Sequence, residues 1–152
     1  MKTTQKYGKK ADLALTMWVK LVRATSTFGK LTQENIKTFG LTEPQFGVLE
    51  CLGHLGRLTL GELSRKQLVS SANITCVVDN LEKEGLVERK RSARDRRTIV
   101  AQLTPKGKRL FTTIFEKHAK HVASLAAVLT EEEQETLSRL LKKLGLALQQ
   151  RP

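Results

Sequence analysis

Nine consecutive positions, Arg89 to Arg97, hold six cations and a single acid: Arg89, Lys90, Arg91, Arg94, Arg96 and Arg97, with Asp95 among them. Cations at this density can run along a phosphate backbone, and an Arg at the tip can enter a minor groove, drawn by its negative potential. Asp95 can hydrogen-bond a neighbouring guanidinium and hold its direction, which gives an acid a role in so basic a place. The runs on either side, Leu86-Val87-Glu88-Arg89 and Thr98-Ile99-Val100-Ala101-Gln102-Leu103, are β-prone, so the charged stretch reads as the tip of a hairpin. A charge run taken alone is usually a solvated loop. The residues before it change that reading.

Residues 71–84 read as a helix capped by Ser70 or Ser71 and stopped at Gly85. At 100° per residue, Ile74, Val77, Val78 and Leu81 share a face that should be buried. Opposite them lie Ser71, Ala72, Asn73, Thr75, Cys76, Asn80 and Lys83. Small and amide side chains on an exposed helix suit close entry into a major groove about 12 Å wide, where Asn pairs with adenine and Thr meets a thymine methyl. The acids Asp79, Glu82 and Glu84 come late, so the first half of the helix carries no charge that repels phosphate. Ser71, Asn73, Thr75, Cys76 and Asn80 are therefore the candidates for base edges. Arg94, Arg96 and Arg97 are the candidates for the wing of the motif, oriented by Asp95. The preceding segment from Thr59-Leu60-Gly61-Glu62 to about Gln67 reads as a shorter helix, completing a helix-turn-helix followed by a hairpin.

Composition agrees with a polyanionic partner. The 152 residues carry a formal charge of +12, and residues 65–110 alone hold 12 of the 27 Lys and Arg against 5 of the 15 acids. An anionic membrane surface is the second partner such charge suits, but no apolar run approaches the ~18 residues of a membrane span. The basic start MKTTQKYGKK is not followed by an apolar core or cleavage site, so no signal peptide is expected. Two cysteines, Cys51 and Cys76, without a CxxC pair suit a reducing cytoplasm. One Trp, one Tyr and no aromatic β-motif argue against stacking on single-stranded bases. No Ser/His/acid set, phosphate-binding Gly loop or HExxH pattern is present, so an enzyme is not expected. The rival reading from another class is an RNA- or ribosome-associated basic protein.

The elements that must position this segment are helical. After a basic tail over residues 1–10, residues 11–40 form an amphipathic helix with Leu13, Met17, Trp18, Leu21, Val22, Phe28 and Leu31 on its apolar face and a stop at Gly40. Thr42-Glu43-Pro44-Gln45 fits a capping box opening a helix with Phe46, Val48, Leu49 and Leu52. Thr104-Pro105 starts a long helix with Leu110, Phe111, Ile114 and Phe115, and Thr130-Glu131-Glu132-Glu133 caps a last one with Leu137, Leu140, Leu141 and Leu144. The fold class is thus mainly α, with residues 41–104 as the reader and 105–150 as C-terminal helices. The first and last helices hold more Leu, Phe and Val than so thin a reader can cover. A homodimer accounts for them, and a two-fold protein matches a two-fold site.

These residues resemble the MarR family of winged helix-turn-helix transcriptional regulators. The resemblance is carried by Leu41-Thr42 with Gln45-Phe46, by Leu60-x-Glu62-Leu63, and by Ile74-Thr75. It continues through Leu81-Glu82-x-x-Gly85-Leu86-Val87-x-Arg89, Asp95-Arg96-Arg97, and Leu103-Thr104-Pro105-x-Gly107. It implies an obligate homodimer held by the first and last helices, with the fourth helix in the major groove and the wing in the minor groove of double-stranded DNA. It also implies a pseudopalindromic operator, usually repressed and released by a small aromatic or other anionic effector or by cysteine oxidation. Two positions depart from the pattern: Cys76 stands where relatives often carry Arg or Lys, and the wing has Ser92-Ala93-Arg94 where Pro-containing tips are common.

Three weaker signals remain. Cys76, near a helix start among cations, is in a setting that makes a thiol reactive, whereas Cys51 on an apolar helix reads as a small core residue. An effector pocket is expected near Trp18, Phe46 and His54, although aromatics at helical spacing are usually core. His118 and His121, with Cys51 and His54, sit three apart on separate helices without a supporting acid motif, so neither a metal nor a cofactor is expected.

Overall fold

Three threonines set the starts of three helices. The hydroxyls of Thr42, Thr59 and Thr130 each accept the backbone N–H three residues on, and the side chains of Gln45, Glu62 and Glu133 reach back to the threonine N–H at 2.9, 2.7 and 2.9 Å. Two orphan donors are satisfied at each start, which is why these boundaries follow the sequence so closely. The computed structural model describes residues 7–91 and 98–150. Its elements run α1 (Lys9–Lys37), α2 (Glu43–Leu55), β1 (Leu58–Thr59), α3 (Leu60–Gln67), α4 (Ser71–Lys83), β2 (Val87–Arg91), β3 (Ile99–Leu103), α5 (Pro105–Ala126) and α6 (Glu131–Gln149).

The strands form an antiparallel sheet in the order β1-β3-β2. The register pairs Val87 with Leu103, Arg89 with Ala101 and Arg91 with Ile99. Since side chains alternate across a strand, Val87, Arg89 and Arg91 share one face with Leu103, Ala101 and Ile99. Val87, Ala101 and Leu103 are buried against the helices. The core face of the hairpin therefore runs from apolar at its root to cationic further out. The strand β1 is new relative to the sequence reading. Two residues are too short to show a period, and Leu58 and Thr59 are recruited only by their pairing with Ala101 and Val100.

Backbone proximity divides the chain into residues 1–118 and 119–152. In the first unit the core gathers Phe46, Val48, Leu49 and Leu52 of α2, Leu63 of α3, Ile74, Val78 and Leu81 of α4, and Ile114 of α5. The compact part thus extends past the expected boundary at 104, because Leu110, Phe111, Ile114 and Phe115 in the first turns of α5 pack on the reader's core. The second unit holds the end of α5 and all of α6, which opens with the Thr130 cap, and Gln134 Nε2 donates to the carbonyls of Ala126 and Leu129. Ile36 is the buried residue of α1, while Leu13, Met17 and Trp18 are 71%, 50% and 59% exposed. In α6 none is buried, and Leu137, Leu140, Leu141, Leu146 and Leu148 all stand open. These two helices carry apolar faces that a single copy of the chain leaves in water.

Candidate nucleic-acid interface

Helix α4 begins at Ser71, with the Ser70 hydroxyl accepting the Asn73 N–H at 3.3 Å. Of the two caps the sequence allowed, Ser70 is the one used. Ile74, Val78 and Leu81 are buried and Val77 is half-buried, so the wheel's apolar face is the one against α2 and α3. Ser71, Ala72, Asn73, Thr75, Cys76 and Asn80 lie on the open side, all six of them exposed. The first half of the helix thus presents small, uncharged side chains, of which Ser71, Asn73, Thr75 and Cys76 can hydrogen-bond, above the buried aliphatics. Thr75 Oγ1 donates to the Ser71 carbonyl at 2.9 Å. Its proton is committed to the backbone, leaving its lone pairs to accept and its methyl to touch.

Beside α4, β2 leads away through Lys90 and Arg91, both exposed, and β3 returns from Ile99. Arg94, Asp95, Arg96 and Arg97 lie outside the described residues. Arg89 does not join the outward cations. Its guanidinium reaches α4, pairing with Asp79 at 2.6 Å and with Glu82, and its own N–H donates to Glu82 Oε1 at 3.0 Å. Partial desolvation works against the Arg89 charge, but the bonds to Asp79 and Glu82 outweigh it and hold the group above its ordinary value. On the opposite face of the hairpin, Glu88 accepts from Lys90 at 2.9 Å and from Gln102 at 2.6 Å. Both bonds, that of Lys90 first, keep its carboxyl below the usual range.

Sequence reasoning missed the inward turn of Arg89. The signal was there: Arg89 is two residues after buried Val87, hence on the core face, and Asp79 and Glu82 lie three apart on one helix edge. The late acids of α4 are accordingly not simply delayed. Two of them are consumed by the hairpin.

The junction below the hairpin is equally fixed. Lys106 Nζ donates to the Glu84 carbonyl at 2.7 Å at the C-terminus of α4, where a cation is favoured. Gln45 Nε2 reaches the Glu84 carboxylate at 3.3 Å. α2, α4 and α5 thus meet at one residue.

The expected effector residues differ in burial. Phe46 is buried, stacked with Phe39 at 6.4 Å and tilted against His118 at 4.6 Å. His54 is exposed and meets Phe111 and Phe115 edge-on at 5.2 and 4.4 Å. Phe115 links the two groups through His118 at 6.4 Å. Trp18 stands on the exposed face of α1. Cys76 is exposed on the α4 strip, while half-buried Cys51 receives Gln67 Nε2 at 3.0 Å. His118 Nδ1 lies 3.1 Å from Asn35 Oδ1. Among the described residues no His, Cys, Asp and Glu cluster could hold a metal ion, and no helix is long and apolar enough to cross a membrane.

A sequence model of the MarR family matches residues 41–99, the segment from the start of α2 into β3. The HTH-type transcriptional regulator MhqR of Bacillus subtilis (strain 168) is 39% identical over 139 residues, covering 91% of this chain and 96% of that protein. The chain belongs to the MarR family. It is therefore a DNA-binding transcriptional regulator, not an enzyme. The structure of a MarR family protein from Bacillus stearothermophilus superposes with a TM-score of 0.72 at 28% identity, covering 91% of this chain and 98% of that one. AbsC, a MarR family transcriptional regulator from Streptomyces coelicolor, reaches 0.82 at 19% identity over 96% and 99% of the two chains, which speaks for the winged-helix fold alone.

Proposed function

We propose that this MarR-family protein is a homodimeric cytoplasmic repressor that reads a pseudopalindromic operator. Ser71, Asn73, Thr75, Cys76 and Asn80 meet base edges in the major groove. Arg94, Arg96 and Arg97, oriented by Asp95, follow the phosphates and enter the minor groove. The observation that carries this reading is the exposed face of α4, whose first half holds amide, hydroxyl and thiol groups and no acid. The uncovered apolar faces of α1 and α6 support dimerisation through the helices that flank residues 41–104.

Release is assigned to a small aromatic or other anionic molecule near Trp18, Phe46 and His54, or to oxidation of Cys76. Cys76 lies on the DNA-facing strip, so a sulfenic acid or mixed disulfide there would add bulk against the groove. A Cys76→Ser variant that loses DNA under peroxide as readily as wild type would exclude the thiol.

The base-reading assignment is tested with Asn73→Ala and Asn80→Ala, on duplexes that wild-type protein retains from a randomised pool. An Asn bidentate to adenine is worth about 1–3 kcal/mol of discrimination, so each variant should relax preference at one base pair per half-site by about 5- to 150-fold. Unchanged preference at every position in both variants would contradict the docking of α4.

A further inference from the structure

Arg89 lies at the point where the core face of the hairpin turns from apolar to charged. Its cross-strand partner is Ala101, fully buried and small, so the Arg89 stem has room to cross the sheet face instead of pointing into solvent. It arrives at Asp79 with one nitrogen and at Glu82 with another, while its backbone N–H holds the second oxygen of Glu82. Three hydrogen bonds therefore join one residue of β2 to one edge of α4. The planar guanidinium makes the join directional, because both prongs must lie in one plane.

That edge adjoins the strip assigned above to base edges. Counting by helical steps, Ser71, Thr75 and Asp79 follow one another at four-residue spacing, and Glu82 falls beside them one turn on. The clasp thus continues the row that carries Thr75. The other ties of the hairpin lie nearer its root: β1 pairs with Val100 and Ala101, Thr104 bonds to the carbonyls of Gly85 and Leu86, and Val87, Ala101 and Leu103 are buried, so the Arg89 clasp joins β2 to α4 further out along the strand.

We infer that Arg89 is a positioning residue for DNA binding: clasped by Asp79 and Glu82, it fixes the direction in which the hairpin leaves the recognition helix and makes no phosphate contact of its own. This rests on the reading of α4 and the hairpin as joint DNA contacts. The wing cation nearest the helix is set apart from exposed Lys90 and Arg91 by its partners on α4. The two acids are structural anchors, so their charge is already answered within the protein.

The test compares wild type, Arg89→Gln and the double variant Asp79→Asn/Glu82→Gln on duplexes that wild type retains from a randomised pool. Dissociation constants are measured over a KCl series at a temperature where thermal unfolding shows each protein folded. The expected result is binding weakened about tenfold in both variants, the loss of a charge-assisted hydrogen bond, with the slope of log affinity against log salt unchanged. Affinity equal to wild type in the folded variants would reduce the clasp to a stabilising contact and overturn the inference. A slope shallower by about 0.9 in Arg89→Gln, the share of one neutralised phosphate, would make Arg89 a phosphate ligand and overturn it too. Tighter binding by the double variant would show acids that merely repel DNA. Should Arg89→Gln fail to fold, the double variant decides alone, because simple removal of negative charge and loss of positioning predict opposite signs. If wild type retains no duplex, the DNA-binding reading beneath the inference fails before any variant is compared.

Discussion

A Cβ on Gly107 would overlap the carbonyl oxygen of Leu86, so the first turn of α5 and the entry to β2 touch backbone to backbone. Thr104 locks the approach: its N–H donates to the same Leu86 oxygen at 3.0 Å, and its hydroxyl donates to the Gly85 carbonyl at 2.7 Å. Gly85, at φ 69, turns the chain from α4 into this contact. The root of the hairpin is thereby fixed by main-chain atoms that have no rotamer to yield.

Gly107→Ala is accordingly expected to destabilise the protein by about 1–3 kcal/mol, the usual cost of overpacking, because a carbonyl cannot step aside as a flexible side chain would. Urea unfolding checks this. A midpoint equal to wild type would mean that α5 and β2 are free to part.

Leu68 offers the opposite sign. At φ 54 and ψ 37 it closes α3 in the left-handed region, as the one non-glycine with positive φ among the described residues, and its side chain is 80% exposed. A left-handed L-residue costs about 1–2 kcal/mol, and Leu68 recovers little of it by burial. Leu68→Gly should raise stability by about 0.5–1 kcal/mol after the extra chain entropy of glycine is counted. A lower thermal midpoint in that variant would contradict the account of this turn.

Two carboxylates set a stability dependence on pH. The Thr59 N–H, and then its hydroxyl, hold Glu62 below its ordinary value of 4.5. The bond from Lys90, and then that from Gln102, do the same for Glu88. A folded-state value depressed below the unfolded one adds stability that is complete above about pH 4.5 and is lost as pH falls through the lower folded value. The stability gap between wild type and Glu62→Gln/Glu88→Gln should therefore be constant near neutrality and shrink below pH 4.5. Thermal midpoints taken across that range check it; a gap that widens on acidification would reverse the assignment.

Much of this architecture could be read from the sequence because its signals are local. Capping boxes at Thr42, Thr59 and Thr130 need only residues three apart, and the aliphatic face of α4 needs only helical periodicity. What escaped the sequence is what depends on pairing between distant segments. Strand β1 exists through Ala101 and Val100, and the division of the chain inside α5 follows from where Phe111 and Phe115 land. The inward turn of Arg89 requires the register that sets it opposite Ala101. In a run of cations, composition alone gives every member the same role. The base-edge candidates on α4 are all found on its open face, whereas the expected effector residues span a buried ring, an exposed imidazole and a solvent-facing indole.

On the proposed function, two copies of the α4 strip read two halves of one duplex. Sequencing the fragments that purified wild-type protein retains from a randomised duplex pool measures this most directly. An enriched inverted repeat is predicted, its half-sites separated by about 10–10.5 base pairs or a multiple of it, one helical turn of DNA. Retained fragments with no common motif, or with a single unrepeated one, would contradict it.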